Sequence, residues 1–203
     1  MAPETVLPCY LVCDESLSMR AHARAVSGIV ASFIGGLRRA VETGPGSVRL
    51  GLIGFSDSAH VLRPLGPLAT FELPEASGRG TSITSFRTAF RFLRETIEAD
   101  IGQLLAGADA VRRPVVLFIS DGQPTDPATW PAAHAALIDP LRPFHPHLLT
   151  VGVGDADAAT LQRIATSSPP AARGPAVAMD GFTCSSRCSL LVQRPGVVTA
   201  VQL

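Results

Sequence analysis

The 203-residue sequence contains neither lysine nor asparagine, so that all 17 of its basic side chains are arginine. Codon bias in a GC-rich genome explains this absence, because alanine, glycine, proline and arginine are correspondingly abundant. The lack of lysine still excludes a Walker A Gly-Lys-Ser/Thr sequence, a Schiff-base lysine and every phosphoryl-transfer site that depends on lysine.

Long apolar runs and blocks of one charge are also missing. The formal net charge is zero, and no basic block is longer than the pairs Arg38-Arg39 and Arg112-Arg113. This scatter predicts no nucleic-acid partner and no membrane surface. No run approaches the length of a membrane span, and the start, Met-Ala-Pro-Glu-Thr, lacks the features of a signal peptide. We therefore expect a cytoplasmic protein.

Cysteine is scarce, with four residues in the chain. Cys9 and Cys13 lie within one apolar run, which indicates buried free thiols in a reducing compartment. Cys184 and Cys188 are spaced four residues apart. A metal clip or a redox pair stays open there, although no histidine lies nearby in the sequence.

The length and the pattern predict one α/β domain over residues 1–181, followed by a C-terminal segment, 182–203, of uncertain structure. Beyond Gly181 the pattern decays, and at best a weak helix is indicated over 182–192. Before it, apolar runs alternate with helical periodicity, which predicts a parallel sheet covered by helices on both faces. The predicted strands are Leu7–Cys13, Val48–Phe55, Ala59–Leu62, Val115–Ile119, His147–Val153 and Ala176–Met179; the predicted helices are Ala23–Val41, Phe86–Leu104, Trp130–Leu141 and Asp157–Ser167.

The third strand must run antiparallel to the second, because only the short turn Ser56–Ser58 joins them. It is expected at the edge of the sheet, where Pro64 and Pro67 are tolerated. We predict a single doubly wound, mostly parallel six-stranded sheet of order 3-2-1-4-5-6. In that order the first and fourth strands lie side by side at the topological switch point, where ligands bind in such sheets.

Oxygen-bearing side chains follow both of these strands. Two carboxylates at neighbouring strand ends repel each other unless a cation lies between them. Hydroxyl and carboxylate oxygens suit Mg²⁺ or Mn²⁺, and two acids leave such an ion underneutralised, with a position open for an external anionic oxygen. The candidate metal ligands are Asp14, Ser16, Ser18, Thr81 and Asp121.

Each of these residues also has an ordinary structural reading. Asp and Ser are common helix caps, so the residues after the first strand are explained equally well as a capping turn. Thr81 or Ser82 would cap the following helix, and Ser82 or Thr84 could replace Thr81 as a ligand. Glu15 is interpreted as a solvated side chain at the rim, and Asp126 as a turn former.

These residues carry a resemblance to a known family. Asp14-Glu15-Ser16-Leu17-Ser18, Thr81 and Ser120-Asp121-Gly122 resemble the three-part metal ion-dependent adhesion site of von Willebrand factor type A (vWA) domains, whose first motif is Asp-x-Ser-x-Ser. The resemblance extends from about Leu7 to Met179. Within the family the chain looks most like bacterial tellurium-resistance-associated vWA proteins, through Pro8–Asp14, Leu62–Leu65 and Asp121–Asp126.

The resemblance implies a binding module in which Ser16, Ser18 and Thr81 contact Mg²⁺ or Mn²⁺ directly, while Asp14 and Asp121 act partly through water. A partner protein would supply an acidic group to the open position. Bacterial relatives often work beside kinases, phosphatases or ATPases in stress-response systems. Leu17 departs from the glycine usual in the family, and the C-terminal segment lacks an aromatic-rich helix.

Two other classes of function stay open. A magnesium-dependent phosphohydrolase could use the same ion to orient phosphate and water, but the sequence offers no evident general base. Gly54-Phe55-Ser56-Asp57-Ser58 lacks the second glycine of a nucleophile elbow. A structural subunit with a degenerate metal site is the third reading, kept open by Leu17. We expect a protein that is not an enzyme.

Overall fold

The computed structural model of the protein describes residues 5–43, 46–74, 80–106, 110–166, 189–194 and 197–202. The helices are α1 (Ala23–Thr43), α2 (Phe86–Ala106), α3 (Trp130–Leu137) and α4 (Ala158–Ile164), with 3-10 turns at Leu17–His22 and Leu68–Thr70. The strands are β1 (Thr5–Asp14), β2 (Ser47–Phe55), β3 (Ala59–Pro67), β4 (Ala110–Val111), β5 (Val115–Ser120), β6 (His147–Gly152), β7 (Ser189–Arg194) and β8 (Val197–Gln202).

The main sheet has the order β3-β2-β1-β5-β6, with β4 also paired to β1. All of its pairings are parallel except that of the β2–β3 hairpin, which confirms the predicted α/β class, the antiparallel edge strand and the place of the switch point. The sixth strand differs from the expectation. It is the two-residue β4, which pairs with Thr5 and Val6 before β5 joins at Cys9. The predicted strand Ala176–Met179 lies outside the described residues.

Strand β1 forms the centre of the core because both of its faces are apolar. Cys9, Leu11 and Cys13 belong to the core on one side of the sheet, and Tyr10 and Val12 to the core on the other. Both cysteines are free and buried, as predicted. Burial raises the pKa of each thiol to about 12, so neither is a reactive thiolate at neutral pH.

The helices cover both faces of the sheet, again as predicted. Helix α1 packs its buried residues, including Val30 and Phe33, on the Cys9 side. Helices α2, α3 and α4 cover the Tyr10 side, where Phe118 is fully buried. Its ring centroid lies 5.1 to 5.3 Å from those of Phe55, Phe86 and Phe90. Truncation of an aromatic side chain at such a site costs about 3 to 5 kcal/mol of folding free energy.

Two helical predictions need correction. Helix α3 ends at Leu137 rather than Leu141, and Leu141 is 91% exposed. Pro140 explains this early end, because it has no N–H to donate to a helix and restricts the residue before it. In the C-terminal segment, residues 189–192 belong to strand β7 of the antiparallel β7–β8 hairpin and not to a helix. The rest of that expected helix, 182–188, lies outside the described residues, as do Cys184 and Cys188.

Candidate metal centre

The ends of β1 and β5 lie next to each other, and this brings the two predicted acids to one edge of the sheet. Cys13 pairs with Ile119, so Asp14, the last residue of β1, lies beside Ser120, the last residue of β5. The Ser120 hydroxyl donates to Asp14 Oδ2 over 2.7 Å. Asp121 follows directly and is 7% exposed, against 4% for Asp14. Both carboxylates are therefore largely withdrawn from bulk water at the same place.

A continuous chain of hydrogen bonds joins Asp14 to Asp121 through the two serines of the first turn. The Ser16 amide donates to Asp14 Oδ1 over 2.9 Å, and the Ser18 hydroxyl donates to Asp121 Oδ2 over 2.7 Å. The two serine hydroxyl oxygens are 3.1 Å apart. Either hydroxyl can be the donor in that contact. Four of the five predicted ligands thus meet in one cluster.

Thr81, the fifth predicted ligand, lies against the same turn through its backbone. Its carbonyl accepts a hydrogen bond of 2.9 Å from the Leu17 amide, and its Oγ1 accepts one of 3.2 Å from the Ile83 amide. Gly80 permits this approach, because a Cβ there would lie 1.4 Å from the Glu15 carbonyl oxygen. The backbone of the loop that carries Thr81 therefore approaches the Asp14 turn closely at Gly80.

Neither Thr81 nor Ser82 caps the helix that follows, because α2 begins only at Phe86. Instead the Asp126 carboxylate, 40 residues away, accepts from the Phe86 and Arg87 amides at 3.1 and 2.9 Å. Its Oδ2 also accepts from the Ser85 hydroxyl at 3.0 Å. Asp126 also forms a turn as predicted, since its carbonyl accepts from the Thr129 amide over 3.0 Å, so the contact of its carboxylate with the start of α2 is an additional role. The sequence does show a second aspartate five residues after Asp121. The start of α2 lies 40 residues away from it, and the sequence pattern does not link the two.

A second contact joins the same two loops. The Thr125 amide donates to the Thr84 carbonyl over 2.9 Å, and the Thr84 amide donates to Thr125 Oγ1 over 3.3 Å. Thr84 is 4% exposed and takes part in this pairing, while Ser82 is exposed. Of the three hydroxyl residues considered for the loop, Thr81 is the one whose backbone contacts the Asp14 turn.

Glu15 is not the solvated rim residue that the sequence suggested. Its side chain is 14% exposed, and its Oε2 lies 3.2 Å from His60 Nε2 on the edge strand β3. Its amide donates to the Phe55 carbonyl at the end of β2. The pair ties the turn after β1 to the β2–β3 hairpin, and Gly54 leaves room for it, since a Cβ there would overlap the Glu15 carboxylate.

Burial raises the pKa of the Asp14 carboxyl to about 6. Hydrogen bonds from Ser16 and Ser120 oppose this rise, and the negative charge of Asp121 adds to it. Desolvation favours the protonated acid, whereas a nearby cation favours the carboxylate. Burial is thus the main cause of the raised pKa, and the repulsion between neighbouring acids that the sequence suggested adds to it as the smallest cause.

The atoms at this edge fit a hard divalent cation. They are carboxylate and hydroxyl oxygens, joined to one another within hydrogen-bonding distance, and they include no thiolate or imidazole that would select zinc. In the described part of the chain no three His, Cys, Asp or Glu side chains form a metal-binding group, so the fit depends on the hydroxyls.

An apolar cavity of about 160 Å³ adjoins the turn. It extends between α1 and strands β1 to β3, with Met19, Val26 and Leu52 among its lining residues. Asp14 and Ser16 border it, whereas Ser18, Thr81 and Asp121 do not. The cavity is therefore separate from the candidate metal centre.

The family model of the von Willebrand factor type A domain matches residues 9–182. The chain belongs to this family, since the match covers most of its length. A comparison with curated protein sequences gives no match. None of the helices in the described residues is long and apolar enough to span a membrane.

Solved structures with the same fold come from diverse vWA proteins. Proximal thread matrix protein 1 from the mussel byssus is 16% identical, with a TM-score of 0.58, over 81% of this chain and 42% of that protein. A structure of the same protein with a zinc-occupied metal ion-dependent adhesion site (MIDAS) motif is 15% identical, with a TM-score of 0.54 and the same coverage. The ArnB paralog VWA2 from Sulfolobus acidocaldarius is 19% identical, with a TM-score of 0.51, over 80% of this chain and 39% of that one. At these identities the likeness concerns the fold alone, and the chain spans about two fifths of each of these proteins.

Proposed function

We propose that this vWA domain is a metal-dependent protein-binding module rather than an enzyme. The observation that supports this most directly is the hydrogen-bonded chain Ser120–Asp14–Ser16–Ser18–Asp121 at the carboxyl edge of β1 and β5. It gathers two carboxylates and neutral hydroxyls where the family resemblance predicts a MIDAS. The mussel protein with zinc in its MIDAS motif shows that a vWA fold can hold a divalent ion.

Ser16, Ser18 and Thr81 would hold Mg²⁺ or Mn²⁺ through their hydroxyl oxygens, with Asp14 and Asp121 balancing part of its charge. When bound, the ion supplies positive charge to an anionic oxygen of a partner protein. The residues of the chain orient this site. Ser120 fixes the Asp14 carboxylate, the backbone N–H of Gln123 donates to Asp121 Oδ1 over 3.0 Å, and Gly80 brings the Thr81 loop close.

The finer assignments are further proposals from the sequence. They are a cytoplasmic location, a bacterial stress-response or tellurium-resistance-like system, and a kinase, phosphatase or ATPase as the partner. A carboxylate, a chain terminus or a phosphate could each supply the anionic oxygen.

A pull-down from native lysate tests the function, with the protein immobilised in Mg²⁺ or Mn²⁺ and, in parallel, in chelator. Asp14→Ala and Ser18→Ala are expected to lose partners that the parent retains only with metal. Ser27→Ala is the matched control, because Ser27 is exposed on α1 and donates its hydroxyl to the Ala23 carbonyl.

Partners that stay bound in chelator, or that Ser18→Ala captures as well as the parent does, would contradict the proposal. Turnover of a generic phosphoester with Mg²⁺ that is lost in Asp121→Ala would favour the phosphohydrolase instead. Titration with Mn²⁺ by calorimetry separates loss of metal from loss of fold in each variant, once circular dichroism has shown that the variant is folded.

A further inference from the structure

Two exposed apolar side chains flank the candidate metal centre. Leu17 is 44% exposed and Ile83 is 45% exposed, although both are large aliphatic residues. Single exposed apolar residues are ordinary on protein surfaces and need no explanation. These two, however, lie on the two segments that supply the hydroxyl oxygens, one between Ser16 and Ser18 and the other two residues after Thr81.

Backbone contacts hold both of these residues next to Thr81. The Leu17 amide donates to the Thr81 carbonyl over 2.9 Å, and the Ile83 amide donates to Thr81 Oγ1 over 3.2 Å. The two segments that make these contacts are themselves held in place, because Gly80 lies against the Glu15 carbonyl and Thr84 pairs with Thr125. The backbone at both positions is thus held beside Thr81 by the same contacts that assemble the site, and both side chains are exposed to an incoming ligand.

The charge at this rim favours an acidic ligand. Arg20 is exposed, and its guanidinium donates to the Gly80 carbonyl at 3.4 Å, which places a permanent cation on the loop that carries Thr81. A divalent ion would remove the net negative charge of the two carboxylates. An incoming carboxylate would meet the ion, while its neighbouring residues would meet Leu17 and Ile83.

We infer that Leu17 and Ile83 determine the specificity of the site, selecting a protein segment in which an acidic residue is flanked by apolar side chains. The inference depends on the proposed function, because the acid is the group that the ion accepts. Apolar contact with half-exposed aliphatic side chains adds about tenfold in affinity over a polar flank.

Three immobilised tripeptides test this inference: acetyl-Leu-Glu-Leu-amide, acetyl-Ser-Glu-Ser-amide and acetyl-Leu-Gln-Leu-amide. With Mn²⁺ present, the parent is expected to bind Leu-Glu-Leu about tenfold more tightly than Ser-Glu-Ser and to bind Leu-Gln-Leu least. The double variant Leu17→Ser, Ile83→Ser should bind the two Glu peptides equally. Leu105→Ser is the matched control, because Leu105 is 48% exposed at the opposite end of α2, and this variant should keep the tenfold preference.

Mn²⁺ affinity, measured by calorimetry on the same preparations, separates this inference from the function on which it depends. Unchanged Mn²⁺ binding in the double variant, together with a lost preference, supports the inference. Equal binding of the two Glu peptides by the parent, a preference that survives in the double variant, or no peptide binding by a parent that binds Mn²⁺ would overturn it and leave the metal site in place. A parent that binds no Mn²⁺ overturns both.

Discussion

The Asp14 carboxylate lies where burial and negative charge act against its ionisation. Its two oxygens accept from the Ser16 amide and the Ser120 hydroxyl, yet burial still raises its pKa to about 6, above the ordinary value of 3.8. An acid in this position binds its proton more firmly in the folded chain than in the unfolded chain. A metal ion has to displace that proton, and this makes binding depend on pH.

We expect the apparent Kd of the protein for Mn²⁺ to be constant above about pH 6 and to rise about tenfold for each pH unit below it. Calorimetric titrations between pH 5 and pH 8, in buffers that do not bind metal, measure this dependence. A flat profile down to pH 5 would contradict the role of Asp14. Asp14→Asn should bind Mn²⁺ weakly, and its apparent Kd should not change slope near pH 6.

The same pKa predicts how the stability of the metal-free protein depends on pH. Because the folded pKa of Asp14 exceeds the unfolded one, its contribution is fully present below about pH 4 and is lost as pH rises through about 6. The loss amounts to about 3 kcal/mol at most, since each pKa unit corresponds to about 1.4 kcal/mol. Urea unfolding in chelator, measured over this pH range for the parent and for Asp14→Asn, gives the contribution of Asp14 as the difference between the two free energies of unfolding. Equal pH slopes for the two proteins would refute it.

At the scale of elements, the loop after β5 holds the start of α2 in place. Asp126 accepts three hydrogen bonds from the Ser85–Arg87 segment, and Thr125 pairs with Thr84. The Thr81 loop and the Asp121 loop are therefore joined to each other by hydrogen bonds that do not depend on a bound ion. Asp126 is a positioning residue in this account, because it orients the loop that carries Thr81.

Asp126→Ala is expected to lower the free energy of unfolding by about 1 to 2 kcal/mol, as loss of a helix cap does, and also to weaken Mn²⁺ binding. Asp157→Ala is the control. Asp157 caps α4 by accepting from the Ala159 and Thr160 amides, so its loss should cost similar stability while Mn²⁺ affinity is kept. Urea unfolding and calorimetry give the two quantities. Parallel effects of both variants on Mn²⁺ affinity would show that Asp126 contributes stability alone.

At the scale of the whole molecule, the site exists only when the central strands are packed. Phe118 on β5 is surrounded by Phe55, Phe86 and Phe90, and so the strand that directly precedes Asp121 is fixed against β2 and α2 by the same cluster. The unfolded chain holds Asp14 and Asp121 more than 100 residues apart in sequence and offers no such site. Binding of metal to the folded chain alone must therefore stabilise the fold.

A hundredfold excess of Mg²⁺ or Mn²⁺ over its Kd is expected to raise the free energy of unfolding by about 2.7 kcal/mol. Thermal and urea unfolding with metal and with chelator measure the change. Ser18→Ala should lose it, while Ser27→Ala should keep it. A parent whose unfolding is indifferent to Mg²⁺, Mn²⁺ and chelator would favour the structural subunit with a degenerate site.

Local patterns in the sequence determined the architecture. Apolar runs, helical periodicity and the three-residue turn before β3 predicted the class, the strand order around β1 and the juxtaposition of Asp14 with the end of β5, because each depends on neighbouring residues and on general rules of α/β topology. They also placed Ser16 and Ser18 with the acids, since the residues of one short turn stay together.

The tertiary structure alone decided which distant groups support the site. Asp126 reaches α2 across 40 residues, Glu15 contacts His60 on the edge strand, and Ser120 at the end of β5 donates to Asp14 on the neighbouring strand. Such partners are chosen by packing in three dimensions. A single sequence does not encode them as a spacing, because the free energy of each contact depends on burial that only the folded chain creates.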